Sequence, residues 1–144
     1  MTPSSERALL FGGTSLITIL AILFAGAAQQ GCGFFPWMFP AILGVQLCFA
    51  LGAGFITGPG SPGNREPLQA GLKTNAIASL SGPVFYAVAA LNLLPPPCKD
   101  ETGPLGILIV LLLLIFIIGP IAIVAGAAAG WAGGLLAHVN KAER

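Results

Sequence analysis

Apolar residues follow one another along this chain in four long stretches, which are separated by short segments rich in proline, glycine, glutamine or charge. The stretches cover residues 8–28, 37–57, 67–94 and 104–137. A helix of about 20 apolar residues crosses the hydrocarbon core of a bilayer, and no stretch shows the period-two alternation of a membrane barrel. The pattern predicts an all-α integral membrane protein whose single domain, residues 1–144, is a four-helix antiparallel bundle.

Two Gly-Pro pairs interrupt the third and fourth stretches, at Gly82-Pro83 and Gly119-Pro120. A proline inside a helix lacks the N–H of a backbone hydrogen bond, and its ring crowds the carbonyl four residues earlier. We therefore expect the third and fourth helices to be kinked at Pro83 and Pro120, with freed carbonyls on Ser79 and Phe116.

Three polar residues lie near the level of these kinks in the predicted bundle: Gln46, Ser79 and Ser81. We expect fixed kinks, with these side chains forming hydrogen bonds between the helices, because a polar group in lipid needs a partner. In the alternative interpretation, the kinks are hinges beside a small polar site at the middle of the membrane.

Charged residues are scarce and unevenly placed. Only 6 basic and 5 acidic residues occur in the chain, which gives a net charge of +1. None of them lies anywhere from Ala8 to Asn64. This composition excludes a soluble enzyme, a disordered tail and a nucleic-acid-binding protein.

The basic residues predict the orientation of the bundle. With the N-terminus inside, only Lys99 lies on the outer side, and the cytoplasmic side holds Arg7, Arg65, Lys73, Lys141 and Arg144. Since cytoplasmic loops carry an excess of Lys and Arg, we expect both termini and the Gly/Pro-rich loop 58–66 in the cytoplasm. Loops 29–36 and 95–103 are then outside, and the predicted location is the inner, or cytoplasmic, membrane of a cell. We expect the first span to be retained, although Ala25-Gly26-Ala27 is similar to a signal-peptide cleavage site.

Two of the three cysteines lie in the predicted outer loops, Cys32 in the first and Cys98 in the second. Two thiols in short loops on one non-cytoplasmic face are a candidate disulfide. The alternative is a pair of unbonded thiols, and a catalytic dithiol is disfavoured because the chain has no C-x-x-C motif. Cys48, within the second span, is expected to be a small packing residue.

The membrane cores of the four predicted spans hold no charged residue. Proton-coupled transport and intramembrane hydrolysis depend on such a residue, and Glu6 precedes the first span. His138 is the one histidine in the sequence, and we expect it to be a solvated cation near a helix C-terminus. No His, Cys, Asp or Glu cluster has the spacing of metal ligands. We therefore expect no catalytic residue, no cofactor, no metal site and no enzymatic activity.

Small residues recur at every fourth position of the fourth stretch, at Ala122, Gly126, Gly130 and Gly134. A shorter stripe in the second stretch consists of Gly44, Cys48 and Gly52. Such stripes allow helix backbones to approach closely. We expect the two stripes to pack against one another; in the alternative, the longer stripe is a docking face for another subunit.

These observations leave two functional hypotheses. The first is a non-catalytic accessory subunit or oligomeric scaffold that associates with other membrane subunits, or with its own copies, through its glycine-rich helix faces. The alternative is an oligomeric transporter or channel for a neutral or apolar solute, hinged at the Gly-Pro pairs. Membrane lipid is a partner in both, and nucleic acid is a partner in neither.

Overall fold

The computed structural model describes residues 3–30, 38–60, 65–90 and 104–142, and within these ranges the chain is helical with no strand. The described chain consists of six α-helices, with a 3-10 turn after the second helix and a π-helical segment before the sixth. They are α1 Pro3–Gln30, α2 Met38–Thr57, the turn Gly58–Gly60, α3 Arg65–Ala78, α4 Ser81–Ala90, α5 Pro104–Leu113, the π segment Leu114–Ile118 and α6 Gly119–Ala142.

Three helices are long and apolar enough to cross a membrane: Ser5–Ala27, Pro40–Thr57 and Leu111–Ala142. In the most apolar 18-residue segment of each of these helices, only 17 to 28% of the residues are buried inside the protein. Most of their apolar side chains therefore face outward, as lipid requires and water disfavours. Within the described residues, the all-helical prediction is confirmed, with three helices that are long and apolar enough to span a membrane.

The third predicted span is not one continuous helix. The turn Ser79–Leu80 separates α3 from α4, and the N–H of Leu80 bonds to the carbonyl of Ile77 at 3.2 Å, three residues back instead of four. Pro83 explains the position, because its ring would crowd the carbonyl of Ser79 in a regular helix. Residues 91–94 of the predicted span lie outside the described chain.

The last helical run is unbroken from Pro104 to Ala142 but changes its hydrogen bonding in the π segment. The N–H of Gly119 bonds to the carbonyl of Leu114, five residues back. Phe116, four residues before Pro120, lies inside this segment, so the wider turn accommodates the crowding that the proline ring causes. Irregular backbone thus occurs beside both Gly-Pro pairs, whereas the predicted kinks themselves stay predictions.

Helices α2 and α3 occupy the centre of the bundle, since each of them packs against both α1 and α6, and their contacts with α6 are the most extensive. Arg7, near the start of α1, donates a hydrogen bond of 3.1 Å to the carbonyl of Ile56 at the end of α2. Gly134, late in α6, lies against Pro67 at the start of α3. The ends of α2 and α6 therefore meet the starts of α1 and α3 at one end of the bundle, and successive spans alternate in direction.

Glycines let α6 approach both central helices at backbone distance. A Cβ atom on Gly130 would lie 2.5 Å from the carbonyl oxygen of Pro67 and 2.7 Å from the Cα of Gly71. A Cβ on Gly54 of α2 would overlap the carbonyl of Gly130 from the other side. No side chain larger than hydrogen fits between these backbones, so the three glycines define the closest packing of the bundle.

The longer stripe faces inward, with Ala122, Gly126, Gly130 and Gly134 all buried. The prediction that it packs against Gly44, Cys48 and Gly52 is wrong. Gly44 and Cys48 are exposed, no described atom comes within 4 Å of a Cβ built on Gly44, and Gly52 faces Phe11 of α1. The face of α2 that meets α6 lies further along the helix, where Gly54 and Gly58 provide the small residues.

We predict that Gly130→Ala lowers the free energy of unfolding in detergent by about 1–3 kcal/mol, because the new methyl group forces two backbones apart. The matched control is Gly44→Ala, which has open space and should leave stability unchanged or raise it by less than about 1 kcal/mol. Thermal unfolding followed by far-UV circular dichroism measures both. Equal stability of the two variants would show that the close approach at Gly130 is dispensable.

Candidate functional site

A cavity of about 180 Å³ lies between α1, α2, α4, the π segment and α6. For comparison, an engineered apolar protein cavity of about 150 Å³ binds benzene. Most of its lining is apolar. The buried residues Ile19 and Leu23 of α1 and Phe85 of α4 form part of the wall, and Tyr86 of α4, which is partly buried, also borders the cavity. The ring of Phe24 packs edge-on against that of Phe85, with centroids 5.3 Å apart, and so supports this wall from behind.

Both irregular backbone segments border the cavity. Ser79, Ser81 and Gly82 line it from the α3–α4 break, and Leu114, Ile118 and Gly119 line it from the π segment and its C-terminal end. The two segments are in direct contact, because a Cβ on Gly82 would lie 3.3 Å from both terminal methyl carbons of Leu114. The features that the two prolines impose therefore meet at one site.

Two polar side chains face this space without a protein partner. Gln46 is 7% exposed and Ser81 is 3% exposed, and both line the cavity. Neither side chain makes a hydrogen bond with a residue in the described part of the chain. The fully enclosed polar side-chain atoms that lack a partner in the described chain belong to Ser15, Thr74 and Asn75. The polar atoms of Gln46 and Ser81 are instead open to the cavity, where they are available to hydrogen-bond a bound molecule.

The described chain shows no interhelical hydrogen bond from Gln46, Ser79 or Ser81, and the interhelical role of these three residues stays a prediction. The hydroxyl of Ser79 donates to the carbonyl of Ala76 at 2.8 Å, within its own helix. The amide of Gln46 faces the cavity instead of a neighbouring helix. Gln46 thus lines the same cavity as the α3–α4 break and the π segment.

Asn75 makes the interhelical hydrogen bond that the sequence reasoning missed. Its side-chain nitrogen donates to the carbonyl of Ala122 on α6 at 2.7 Å, and the residue is fully buried. The same side chain fills the space beside Gly126, where an added Cβ would overlap it. The polar pair Thr74-Asn75, which precedes an apolar stretch, was the available signal, because polar residues within a predicted span turn toward other helices; both residues are buried.

Other residues singled out from the sequence lie away from this site. Cys32 and Cys98, the candidate disulfide, fall outside the described residues. Cys48 is exposed on α2, which contradicts the prediction that it is a packing residue, and His138 is exposed near the end of α6. The structure thus gathers Gln46, Ser79, Ser81 and Ala122 at the cavity and places the glycines of α6 on the helix contacts beside it.

Comparisons with known proteins provide no relative from which a function could be transferred: no protein-family model, curated protein or solved structure matches the chain. The cavity has the most specific chemistry in the described chain, since two irregular helices and two unpaired polar side chains converge on it.

We predict that Asn75→Ala lowers the free energy of unfolding by about 1 kcal/mol, because it removes an interhelical hydrogen bond of a kind that is worth about 0.6–2 kcal/mol in membranes. Gln69→Ala is the control, since Gln69 is exposed on the same helix. Chemical unfolding in mixed detergent micelles measures the difference. If the two variants unfold at the same denaturant concentration, the hydrogen bond from Asn75 makes no net contribution to the free energy of unfolding.

Proposed function

We propose that the protein binds a small neutral solute with a mainly apolar body inside the membrane and carries it across, as a transporter hinged beside Pro83 and Pro120. The observation that carries this proposal is the cavity of about 180 Å³, which is bordered by both irregular helix segments. Transporter binding sites characteristically form near the middle of the membrane where helices are discontinuous.

The lining supports a neutral ligand. Among the described residues that border the cavity there is no Asp, Glu, Lys or Arg, and an ion held in such surroundings would lack a compensating charge. The apolar walls accommodate a ring or a short hydrocarbon body, and the unpaired groups of Gln46 and Ser81 accommodate one polar substituent.

The backbone supports movement at the same place. A break such as Ser79–Leu80 and a π segment such as Leu114–Ile118 carry weaker hydrogen bonding than a regular helix, and π segments are frequent at functional sites. Because Gly82 and Leu114 are in contact, a change in one segment displaces the other. The two segments thus form one hinge region rather than two separate ones.

The accessory-subunit hypothesis loses its predicted docking face. The longest stripe of small residues packs against α2 and α3 within the chain, so association with another subunit has to use a different surface. We therefore rank the transporter above the scaffold.

The proposal keeps the predicted orientation, with both termini in the cytoplasm, and the predicted inner-membrane location. Support comes from the end of the bundle where α2 and α6 meet the starts of α1 and α3. Arg7, Arg65 and Lys141 are all exposed near this end. A cluster of basic residues at one end is typical of the cytoplasmic side.

Binding is tested with fluorobenzyl alcohol and ¹⁹F NMR on the protein in detergent. We expect a bound resonance, and we expect Ala125→Phe to reduce its affinity at least about tenfold, because the new ring fills the cavity that Ala125 lines. Ala128→Phe is the control, since Ala128 is exposed three residues further along α6 and is outside the lining. Absence of a bound resonance, or equal binding by both variants, would refute the proposed function.

Transport is tested in proteoliposomes with radiolabelled neutral amides and alcohols that cross pure lipid slowly. We predict that the double variant Pro83→Ala, Pro120→Ala reduces flux at least about tenfold while fluorobenzyl alcohol still binds, because restored helical hydrogen bonds stiffen the hinge region. Flux that survives the double substitution would contradict the hinge. Flux that is absent from the unmodified protein would leave a binding protein without transport and would overturn the transport part of the proposal.

A further inference from the structure

The lining of the cavity combines buried polar residues with exposed apolar ones, from which we define an inner end at Gln46 and Ser81 and a mouth at Leu43, Ile118 and Ile121. Gln46 and Ser81 are nearly inaccessible from outside, whereas Leu43, Ile118 and Ile121, which line the same cavity, are exposed by 37, 43 and 65%. The exposed lining residues come from α2, the π segment and α6, so the opening lies between these elements. Three large aliphatic side chains around an opening are suited to contact with hydrocarbon and unsuited to contact with water.

The helix packing explains why the opening lies there. Near the end where Gly54 meets Gly130, the backbones of α2 and α6 are in contact, and no ligand can pass. Further from that contact, α6 presents Ala122 and Ala125 and α2 presents Gln46 to the cavity. The two helices therefore diverge from their glycine contact toward the cavity, and the gap between them leads sideways out of the bundle.

We propose that the natural ligand is a neutral, single-tailed amphiphile that enters from the lipid phase between α2 and α6, with its hydroxyl or carbonyl head inward and its hydrocarbon tail in the mouth. This inference rests on the proposed function, because it names the ligand class and the route for the same cavity. A head group that both donates and accepts suits the site, since the Gln46 amide offers an N–H₂ donor and a carbonyl acceptor and the Ser81 hydroxyl offers both.

The reverse orientation, with the tail inward, is disfavoured by the same lining. A tail at the inner end would leave the Gln46 amide buried without a partner, and a hydroxyl at the mouth would lie among Leu43, Ile118 and Ile121. In this orientation both the Gln46 amide and the ligand hydroxyl are unpaired in apolar surroundings, which costs about 1–3 kcal/mol per group. The head-inward orientation avoids both costs.

The head group is tested by photolabelling the protein in liposomes with a diazirine-bearing octanol and with the matching diazirine-bearing octane. We expect octanol to label with a higher apparent affinity than octane, and Gln46→Leu to weaken octanol about three- to tenfold while octane is unchanged, as the loss of one neutral hydrogen bond predicts. Leucine is apolar and of similar size, and unchanged thermal stability of the variant shows that it folds. Equal labelling by the two probes, or an unchanged octanol affinity in Gln46→Leu, would overturn the inference.

The orientation and route are tested with two further changes. A diazirine at the tail end of octanol should label peptides that contain Leu43 or Ile118, and a diazirine beside the hydroxyl should label peptides that contain Gln46 or Ser81; the reverse pattern would overturn the orientation. Ile121→Trp should slow labelling by lipid-dissolved octanol at least about threefold, because the indole obstructs the mouth. Val124→Trp is the control, since Val124 is equally exposed on α6 but outside the lining.

The outcomes separate this inference from the proposed function on which it rests. If fluorobenzyl alcohol binds but Gln46→Leu leaves the octanol affinity unchanged, the binding site is retained and the amphiphile is rejected as its ligand. Unchanged labelling rates in Ile121→Trp would show entry by an aqueous route and reject the lateral opening. Loss of binding by every probe would reject the proposed function and the inference together.

Discussion

The contact of α6 with α2 and α3 through glycine is the constraint on which the rest of the bundle depends. Gly130 lies between the backbones of Gly54 and Gly71, so the three helices are fixed at the closest separation that a polypeptide allows. This contact sets the direction in which α2 and α6 leave one another. Toward the other end of the bundle, the side chains are larger and the backbone is irregular. Helices α2 and α6, which touch at glycine, cannot stay in contact where Phe85 and Leu114 have to fit. The cavity is the result: it lies where the close packing stops.

The prolines decide what borders that space. In lipid every backbone N–H and carbonyl needs a partner, and each proline withdraws a donor and crowds a carbonyl one turn earlier. The backbone differs at the two prolines. Before Pro83, α3 ends and α4 begins after a two-residue turn; before Pro120, the last helix widens into five π-helical residues. The break and the π segment have different structural consequences. A break exposes side chains such as Ser81 to the cavity, and a widened turn keeps the helix continuous while shifting Leu114 against Gly82.

The sequence predicted the features that depend on local chemistry and failed on those that depend on how helices meet. Apolar stretches gave the helical membrane class, and the rule for proline pointed to Ser79 and Phe116, which lie in the two irregular segments. The spacing of small residues identified the buried face of α6, but not its partners, because Gly44 and Gly54 are equally plausible until the axial position of α2 against α6 is known. Asn75 and Gln46 show the same limit. Both are polar residues within spans, and only the packing decides that one bonds to Ala122 and the other faces a cavity.

The scarcity of charge has a further consequence for the cavity. A membrane protein that handles ions stabilises them with buried charges, and such groups would repel an apolar ligand from the same space. In this cavity the unpaired polar groups are an amide and a hydroxyl, which remain neutral at every physiological pH and offer both donors and acceptors. Their polar atoms are open to the cavity, so they are the neutral hydrogen-bonding groups that the proposed ligand would meet. The proposed ligand, which has one neutral polar head and an apolar tail, matches this combination of neutral polar groups and aliphatic side chains.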